Sequence, residues 1–344
     1  MTCLARQALR TGSLALLMLP ALLAPLHAWA QVRDPSPAEQ ALDAAAFQGM
    51  DAAMAEQFPD VKSVVAVLGG RRVYTWHRDG NPDTLHDVQS AAKSALSTLV
   101  GIALGQGRLA SLDQPVVALM PEWAALNPDP RAAAITLRHL LTMTAGFAVD
   151  DAAGTAPAGR PQDAWARPLG SAPGQTFAYD NALVPMLAAV LEKACGMPLA
   201  DYARQALVTP LAMREPSYRR GVQMRTEDMA RLGQLFLQKG VWDGRQLVPE
   251  AFVIDATRPQ NAGGPPVSMP YGYMWWVLRT ETPRRGFMAS GYGGQLIWVY
   301  PPLDLVIAVS STVSAESQRR GQAVQLVRTR LFAAARKRSE DTGR

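Results

Sequence analysis

The chain has 344 residues, of which 48% are hydrophobic and 18% are charged, so it can bury a sizeable core in one large domain or two small ones. The formal net charge is a modest +5, and the basic cluster at residues 328–344 contains one aromatic residue, Phe332, where a nucleic-acid-binding surface would interleave several. These values argue against a nucleic-acid partner and favour a solvated helix at the C-terminus.

The first thirty residues are typical of a secretory signal peptide. Two arginines precede an apolar run at residues 13–26, and Ala28 and Ala30 form an A-x-A cleavage pattern. An uncleaved membrane anchor is the alternative, although the run is short and contains two prolines. Cleavage removes residues 1–30 with their two arginines, so the net charge falls from +5 to +3. We expect residues 31–344 to be secreted or periplasmic, without stable membrane insertion after cleavage.

The N-terminal half of the mature chain alternates between helix and strand patterns. Residues 36–58 predict a helical lead-in, and residues 61–78 predict a hairpin of two strands around a Gly-Gly turn. A helix follows at about 90–106, and because its apolar residues cover most of its circumference, we expect it to be central and buried. Helical and loop-like sequence then continues to about residue 250.

The C-terminal part has a different period. Aromatic and β-branched runs interrupted by turn residues predict three or four consecutive strands from about residue 271, and a closing helix is predicted over about 316–337. Strands at both ends with helices between them predict the α+β class in a single domain. Its sheet portion spans about 36–85 and 265–337, and its helical portion spans about 86–264.

A Ser-x-x-Lys pair stands at the start of the predicted central helix. Lys93 is one of only five lysines, and it follows Ser90 by three residues, so the two side chains share a helix face. A lysine can take a hydroxyl proton only when it is neutral, and both burial and the positive end of a helix dipole lower its pKa. The pair alone does not decide between a nucleophile with its base and a chance pairing in a helix.

Other catalytic groups are scarce. Cys195 is the single cysteine of the mature chain, and its place near a helix end indicates a small buried residue. The remaining histidines, His77, His86 and His139, show no metal-ligand spacing, and there is no G-x-S-x-G motif. A Ser-His-Asp triad using His139 is conceivable, but its predicted helix-to-turn position favours a structural role. No metal or organic cofactor is implied.

A second motif lies in "PGQTFAYDNALVPML". Tyr179, Asp180 and Asn181 follow a Pro-Gly turn and precede an apolar helix, which puts a phenol and an amide at a helix N-terminus. The phenol can relay a proton, and the amide can hydrogen-bond a substrate carbonyl or Lys93. The alternative is an ordinary helix cap, from Asp180 or Asn181, beside a packing tyrosine. The presence of Ser90 and Lys93 favours the catalytic interpretation.

Several segments in a fixed order resemble the β-lactamase-related serine hydrolases. This group contains class C β-lactamases, penicillin-recognising esterases, D-amino-acid peptidases and 6-aminohexanoate-dimer hydrolases. The segments cover about residues 60–315. The sequence around Ser90 and the closing "GYGGQ" are most similar to the 6-aminohexanoate-dimer hydrolase branch. They are "HDVQSAAKSALSTLVGIALGQGRLASLDQPV", "ITLRHLLTMTAGF", "PGQTFAYDN", "TPLAM", "TEDMARLGQLFLQKGVWDGRQLVPE" and "ASGYGGQLIWVYPPLDLVIAVSS".

The resemblance implies a β-lactamase/transpeptidase-like fold, in which an antiparallel sheet built from both chain ends is flanked by helices and carries an inserted helical region. It further implies that Ser90 is the nucleophile, that Lys93 is its base, and that Tyr179 and Asn181 form the second motif.

The third motif departs from the family pattern. Where relatives carry Lys-Thr-Gly or His-x-Gly, this chain has Ala289, Ser290 and Gly291, so no cation stands there to meet a substrate carboxylate. Gly291 would let the strand approach closely, Ser290 could donate a hydrogen bond, and the Tyr292 N–H would join that of Ser90 in an oxyanion hole. The stretch between "TPLAM" and "TEDMARLG" is also shorter than in many relatives.

We expect a secreted serine hydrolase that cleaves an ester or amide of a small, neutral substrate through an acyl-enzyme and is weak on β-lactams. The alternatives are a catalytically weak binding protein on the same penicillin-recognising scaffold, and a true β-lactamase or D-amino-acid peptidase. The aromatic segment "YGYMWWVL" with Tyr292 could form a rim for an apolar acyl group, although a buried core strand is the simpler interpretation.

Overall fold

The computed structural model of the protein describes residues 32–149, 159–279 and 285–341, so the predicted signal peptide lies outside the described residues. Within them, the strands pair antiparallel. In chain order the strands are β1 (Val61–Leu68), β2 (Arg71–His77), β3 (His86–Asp87), β4 (Gln223–Met224), β5 (Val241–Trp242), β6 (Arg245–Gln246), β7 (Asn261–Gly264), β8 (Met269–Tyr271), β9 (Trp276–Val277), β10 (Phe287–Gly291), β11 (Gln295–Tyr300) and β12 (Leu305–Ser311).

One eight-stranded sheet contains most of them, in the spatial order β2-β1-β12-β11-β10-β9-β8-β7. The N-terminal hairpin joins the C-terminal strands through β1 and β12, where Val65 lies opposite Ala308. The predicted antiparallel sheet built from both chain ends is therefore confirmed. β3 with β4, and β5 with β6, form two small additional ribbons.

The helices precede, interrupt and follow this sheet. Three of them are extended by 3₁₀ or π turns, namely Gln89–Ala91 before α3, Arg204–Val208 after α8 and Val327–Leu331 after α12. The α-helices are α1 (Pro37–Ala46), α2 (Met50–Gln57), α3 (Ala92–Gly105), α4 (Val116–Leu119), α5 (Leu137–Leu141), α6 (Pro161–Trp165), α7 (Leu183–Cys195), α8 (Leu199–Ala203), α9 (Thr226–Leu237), α10 (Glu250–Ala256), α11 (Ala315–Arg320), α12 (Gln322–Leu326) and α13 (Phe332–Glu340).

Helices cover both faces of the sheet, which explains why its central strands are almost continuously apolar. Successive side chains of a strand point to opposite faces. Along β12, Leu305, Ile307 and Val309 pack with the N- and C-terminal helices, whereas Val306 and Ala308 face the inserted helical region. Each face therefore has its own hydrophobic core.

α3 lies at the centre of the inserted helical region, as the sequence predicts. Even its hydroxyl-bearing residues Ser94, Ser97 and Thr98 are buried. The Ser94 hydroxyl donates to the Met274 carbonyl over 2.7 Å, and the Thr98 hydroxyl donates back to the Ser94 carbonyl over 2.7 Å. These bonds satisfy the hydroxyls of Ser94 and Thr98 and tie α3 to the segment that follows β8.

Two predicted elements are interrupted. The predicted set of strands from about residue 271 is interrupted at its start, because the chain turns between β8 and β9, where the Gly272 N–H donates to the Trp275 carbonyl and Met274 has a φ of 57°. The predicted closing helix at 316–337 is broken at Gly321, which has a φ of 59°. Left-handed backbone of this kind ends a regular strand or helix.

None of the helices in the described ranges is by itself long and apolar enough to cross a bilayer. α7 and the helix that begins with α8 meet the length and composition test only as a pair, and they are bent by 74°.

Candidate active site

Ser90 lies in a tight turn that leads into α3. Gln89, immediately before it, has a φ of 50°, which is uncommon for a residue with a side chain. The Asp87 carboxylate holds this conformation by accepting hydrogen bonds from the Gln89 backbone N–H over 2.9 Å and from its side-chain amide over 2.7 Å. Ser90 itself is half-buried at the start of the helix. Its hydroxyl is thus presented at the edge of a cleft.

Lys93 faces Ser90 from the first turn of α3. Its Nζ lies 2.9 Å from the Ser90 Oγ and 2.8 Å from the Asn181 Oδ1, and the residue is only 6% exposed. Burial lowers the pKa of the Lys93 ammonium from 10.5 to about 8, while the negative charge of Asp180 opposes part of this shift. An appreciable fraction of Lys93 is therefore neutral near pH 8 and can accept a proton from the hydroxyl it touches.

Tyr179 closes the same cluster from the segment before α7. Lys93 Nζ lies 4.9 Å from its ring centroid, and the phenol is hydrogen-bonded to the Ser90 side chain. Burial raises the pKa of the Tyr179 phenol from 10.0 to about 12, and its bond with Ser90 opposes the increase. The phenol therefore keeps its proton at neutral pH and can donate it.

The helix-cap interpretation of this second motif is wrong, because the N-cap residue of α7 is Ala182 and no side chain caps the helix. The Asp180 Oδ1 accepts the Ala182 N–H over 2.9 Å in the turn just before the helix. Asn181 instead points to Lys93, 88 residues earlier in the chain. The Tyr179 ring stacks on Trp276, with centroids 5.8 Å apart and planes at 17°.

The aromatic segment at 271–278 is core rather than rim. Tyr271, Tyr273, Trp275 and Trp276 are all at most 2% exposed, which confirms that they are core residues, although the chain turns between β8 and β9 instead of forming one strand. Tyr292, by contrast, is 40% exposed. Trp276 nevertheless contributes to the site indirectly, because it supports the Tyr179 ring from behind.

The third-motif strand, β10, ends against the Ser90 turn. A Cβ on Gly291 would lie 2.5 Å from the Val88 carbonyl oxygen, so only glycine permits this approach. Ser290 is half-buried and Ala289 is 1% exposed, and neither supplies a cation. The arginines just upstream are the other candidates for the missing cation. Arg285 is exposed beyond the opposite end of β10, about 17 Å from Ser290 at 3.4 Å per residue, and Arg284 lies outside the described residues.

Two backbone N–H groups, those of Ser90 and Tyr292, lie at this junction. Apart from the regular hydrogen bonds of helices and strands, neither donates to the backbone of another described residue. Because Tyr292 directly follows Gly291, its N–H lies beside the turn that contains Ser90. Such a pair of donors is suited to hold a developing oxyanion.

A cavity of about 930 Å³ opens beside this cluster. Asp87, Gln89, Ser90, Lys93 and Asn181 line one end, and the other lining residues come mainly from α3, α7, α8 with its π turn, and residues 213–224. The last segment is joined to the Ser90 turn by the Val88 N–H, which donates to Val222 O over 3.0 Å. The nucleophile candidate therefore stands at the polar end of a large cavity.

Several of these features have no signal in the sequence. Arg167 forms an ion pair with Asp180 and lies 5.1 Å from the centroid of the Phe147 ring, yet nothing around Arg167 in the sequence marks it. The left-handed Gln89 is equally unmarked, because that conformation is usually signalled by glycine or asparagine. The cavity is formed by scattered apolar residues that belong to no motif.

The histidines lie in other surroundings. His139 Nδ1 accepts the Thr136 N–H over 3.2 Å in a capping box at the start of α5, which confirms its structural role. His77 Nδ1 lies 2.8 Å from Ser63 Oγ, between β1 and β2. No group of three or more His, Cys, Asp or Glu side chains in residues 32–149, 159–279 and 285–341 is arranged to hold a metal ion.

Comparisons with known proteins agree with this architecture. The Beta-lactamase family model matches residues 43–330. The chain is 24% identical over 322 residues to the 6-aminohexanoate-dimer hydrolase of Paenarthrobacter ureafaciens, covering 81% of this chain and 80% of that protein. It is 32% identical over 151 residues to esterase EstB of Burkholderia gladioli, covering 39% of this chain but only 38% of EstB.

Among solved structures, the putative 6-aminohexanoate-dimer hydrolase from Bacillus anthracis superposes with a TM-score of 0.65 at 20% identity, covering 86% of each chain. An identity this low bears on the fold alone. The β-lactamase/transpeptidase-like fold expected from the sequence is thereby confirmed.

Proposed function

The chain belongs to the beta-lactamase family of serine hydrolases, and we propose that it cleaves ester or amide bonds of small, neutral substrates through an acyl-enzyme on Ser90. The observation that carries the proposal is the contact between Lys93 Nζ and Ser90 Oγ, 2.9 Å long, at a buried lysine. A hydroxyl becomes a competent nucleophile when a neutral base stands within hydrogen-bond distance of it.

The first half-reaction forms the acyl-enzyme. Lys93 takes the hydroxyl proton as the Ser90 Oγ bonds to the substrate carbonyl carbon, and the N–H groups of Ser90 and Tyr292 hold the resulting oxyanion. The leaving group departs with a proton donated by Tyr179, and Tyr179 is reprotonated with the proton that Lys93 took from Ser90, which leaves Lys93 neutral again. Asn181 holds the lysine in place through the 2.8 Å contact with its Oδ1. In the second half-reaction, water bonds to the acyl carbonyl carbon while Lys93 takes a proton from it. The bond to the Ser90 Oγ then breaks, Ser90 regains its proton from Lys93, and the acid is released.

Ala289 supports a preference for neutral substrates over β-lactams. A penicillin carries a carboxylate, and a charge-assisted hydrogen bond to it would contribute about 1.5–3 kcal/mol, roughly a ten- to hundredfold factor in kcat/KM. Alanine cannot make this bond, and Asp87 adds a negative charge to the lining of the cavity.

We therefore expect p-nitrophenyl butyrate to be hydrolysed with a kcat/KM at least about tenfold above that for benzylpenicillin. Both substrates are to be measured on the same preparation, with active enzyme counted by a fluorophosphonate titration. Penicillin turnover equal to or faster than ester turnover would identify a β-lactamase instead. No turnover of either, without labelling by the titrant, would favour a binding protein on this scaffold.

Secretion is also part of the proposal, and it depends on the pattern of residues 1–30. When the full-length chain is expressed in a Gram-negative host, the protein recovered from the periplasm is expected to begin at Gln31, within one or two residues. N-terminal sequencing or intact mass measurement checks this. Membrane-bound protein that still begins at Met1 would show that the segment is an anchor.

A further inference from the structure

Away from the nucleophile, the cavity beside Ser90 is lined mainly by apolar side chains. We infer that it binds the acyl group of the substrate, and that this group is a linear, uncharged alkyl chain of about eight carbons. The inference rests on the proposed acyl-enzyme chemistry at Ser90 and names the substrate class for it. The cavity volume of about 930 Å³ lies at the upper end of the range for small-molecule sites, which is roughly 300–1,000 Å³.

The polarity of the lining changes along the cavity. Its polar side chains are concentrated around the nucleophile, apart from Tyr218, which is 46% exposed and therefore lies at the surface. A charged or hydrogen-bonding group placed among the remaining side chains would lose water without gaining a partner, whereas an alkyl chain would gain by leaving water. The apolar lining includes Leu96, Leu99, Val184, Ala188, Leu207 and Val208.

The spacing along α3 indicates the length of the chain. Lys93, Leu96 and Leu99 all line the cavity, so it follows one helix face for six residues, or about 9 Å at 1.5 Å per residue. An extended alkyl chain advances about 1.3 Å per carbon, given C–C bonds of about 1.5 Å. About seven carbons beyond the carbonyl therefore reach the level of Leu99, which corresponds to an octanoyl group.

The position of Tyr179 assigns the cavity to the acyl group rather than to the leaving group. The leaving group must contact its proton donor, and Tyr179 packs against Trp276 and Tyr271. Tyr179 is not among the described residues that line the cavity. The leaving group therefore departs on the Tyr179 side of Lys93, and the acyl chain extends into the cavity on the other side.

A series of p-nitrophenyl esters tests the inference. We expect kcat/KM to rise about fourfold for each methylene added from acetate to octanoate, the factor for burying one methylene, and to stop rising by dodecanoate. Alkyl acetates with alcohols of two to eight carbons should show no comparable rise. A flat profile across the acyl series, or an equal rise in the alcohol series, would overturn the inference.

A pair of phenylalanine substitutions on α7 tests the location. Ala188 lines the cavity and is half-buried, whereas Lys193, on the same helix, is exposed and does not line it. The ratio of kcat/KM for octanoate to that for acetate should fall at least tenfold in Ala188→Phe and stay unchanged in Lys193→Phe. An unchanged ratio in Ala188→Phe protein with a wild-type melting curve would overturn the location.

Equilibrium binding separates this inference from the proposed function. Calorimetry with octanamide and butanamide on the Ser90→Ala protein needs no catalysis, and octanamide is expected to bind at least fiftyfold more tightly. Selective binding without ester turnover in the wild type would keep the pocket and reject the acyl-enzyme chemistry. Ser90-dependent ester turnover with no chain-length selectivity in binding or rate would keep the chemistry and reject the pocket.

Discussion

Ser90→Ala is expected to lower kcat for p-nitrophenyl butyrate by roughly ten-thousand- to million-fold, the range seen when a nucleophile is removed from a coupled catalytic group. The loss follows because the Ser90 Oγ is the protein atom that bonds to the substrate carbonyl carbon in the proposed mechanism. The fold should be unaffected, since the half-buried hydroxyl contacts Lys93 and Tyr179 but supports no secondary structure. Initial rates and a thermal melt of the same sample measure both effects.

Ser97→Ala is a matched control on the same helix. Ser97 is fully buried, and its hydroxyl has no hydrogen-bond partner in the described part of the chain. Removing it should leave turnover unchanged and thermal stability equal or slightly higher, because an unsatisfied buried hydroxyl stabilises nothing. For the Ser90→Ala variant, wild-type turnover or continued labelling by a fluorophosphonate would contradict the assignment of Ser90 as the nucleophile.

Lys93→Ala is expected to lose nearly as much activity as Ser90→Ala, because a nucleophile and its base act as a unit whose effects do not add. Lys93→Arg provides the sharper test. Arginine keeps the positive charge and can still donate hydrogen bonds, but it does not become neutral in a protein and so cannot act as the base. We expect the arginine variant to be as inactive as the alanine variant. Substantial activity in Lys93→Arg would show that Lys93 acts as a fixed cation.

The pH dependence of the wild type gives an independent measure of the same base. Lys93 must be neutral to accept the proton, and burial lowers its pKa to about 8. The value of kcat/KM should therefore rise about tenfold per pH unit below pH 8 and level off above it. A rise that continues to pH 10 would show that the lysine is not buried in the working enzyme.

Arg167→Ala should move this rise to higher pH. Arg167 pairs with Asp180, and the negative charge of Asp180 already favours the charged form of Lys93. Without the arginine, Asp180 acts on Lys93 with less compensation, so the pKa of Lys93 increases. Arg167→Lys retains a compensating charge and should keep the profile closer to that of the wild type. An unchanged pH profile in Arg167→Ala would show that the charge of Asp180 does not influence the pKa of Lys93.

Structural features that follow from a short repeat in the sequence could be predicted. The β1–β2 hairpin follows from apolar runs around a Gly-Gly turn, and the burial of α3 follows from apolar residues on all its sides. The contact between Ser90 and Lys93 belongs with them, because residues three apart on a helix are neighbours whatever surrounds them. Even the pairing of the two chain ends could be inferred, since a C-terminal set of strands needs a partner for its edge.

Features that depend on distant segments could not be predicted in this way. The hydrogen bond from Lys93 to Asn181, the approach of Gly291 to Val88 and the stacking of Tyr179 on Trp276 join segments that are about 90 to 200 residues apart. Without the family resemblance, no local period connects such segments. Their meeting is set by how the helical region packs on the sheet.

The same reason applies to the pKa of Lys93 and to the cavity. A serine–lysine spacing establishes proximity, but the lowered pKa comes from desolvation, which depends on every segment that excludes water from the ammonium. The acyl pocket is defined by side chains from α3, α7, α8 and residues 213–224 that share no sequence motif. Local helix geometry thus determines that Ser90 and Lys93 can exchange a proton. Tertiary packing determines the protonation state of Lys93 and the shape of the cavity that receives the substrate.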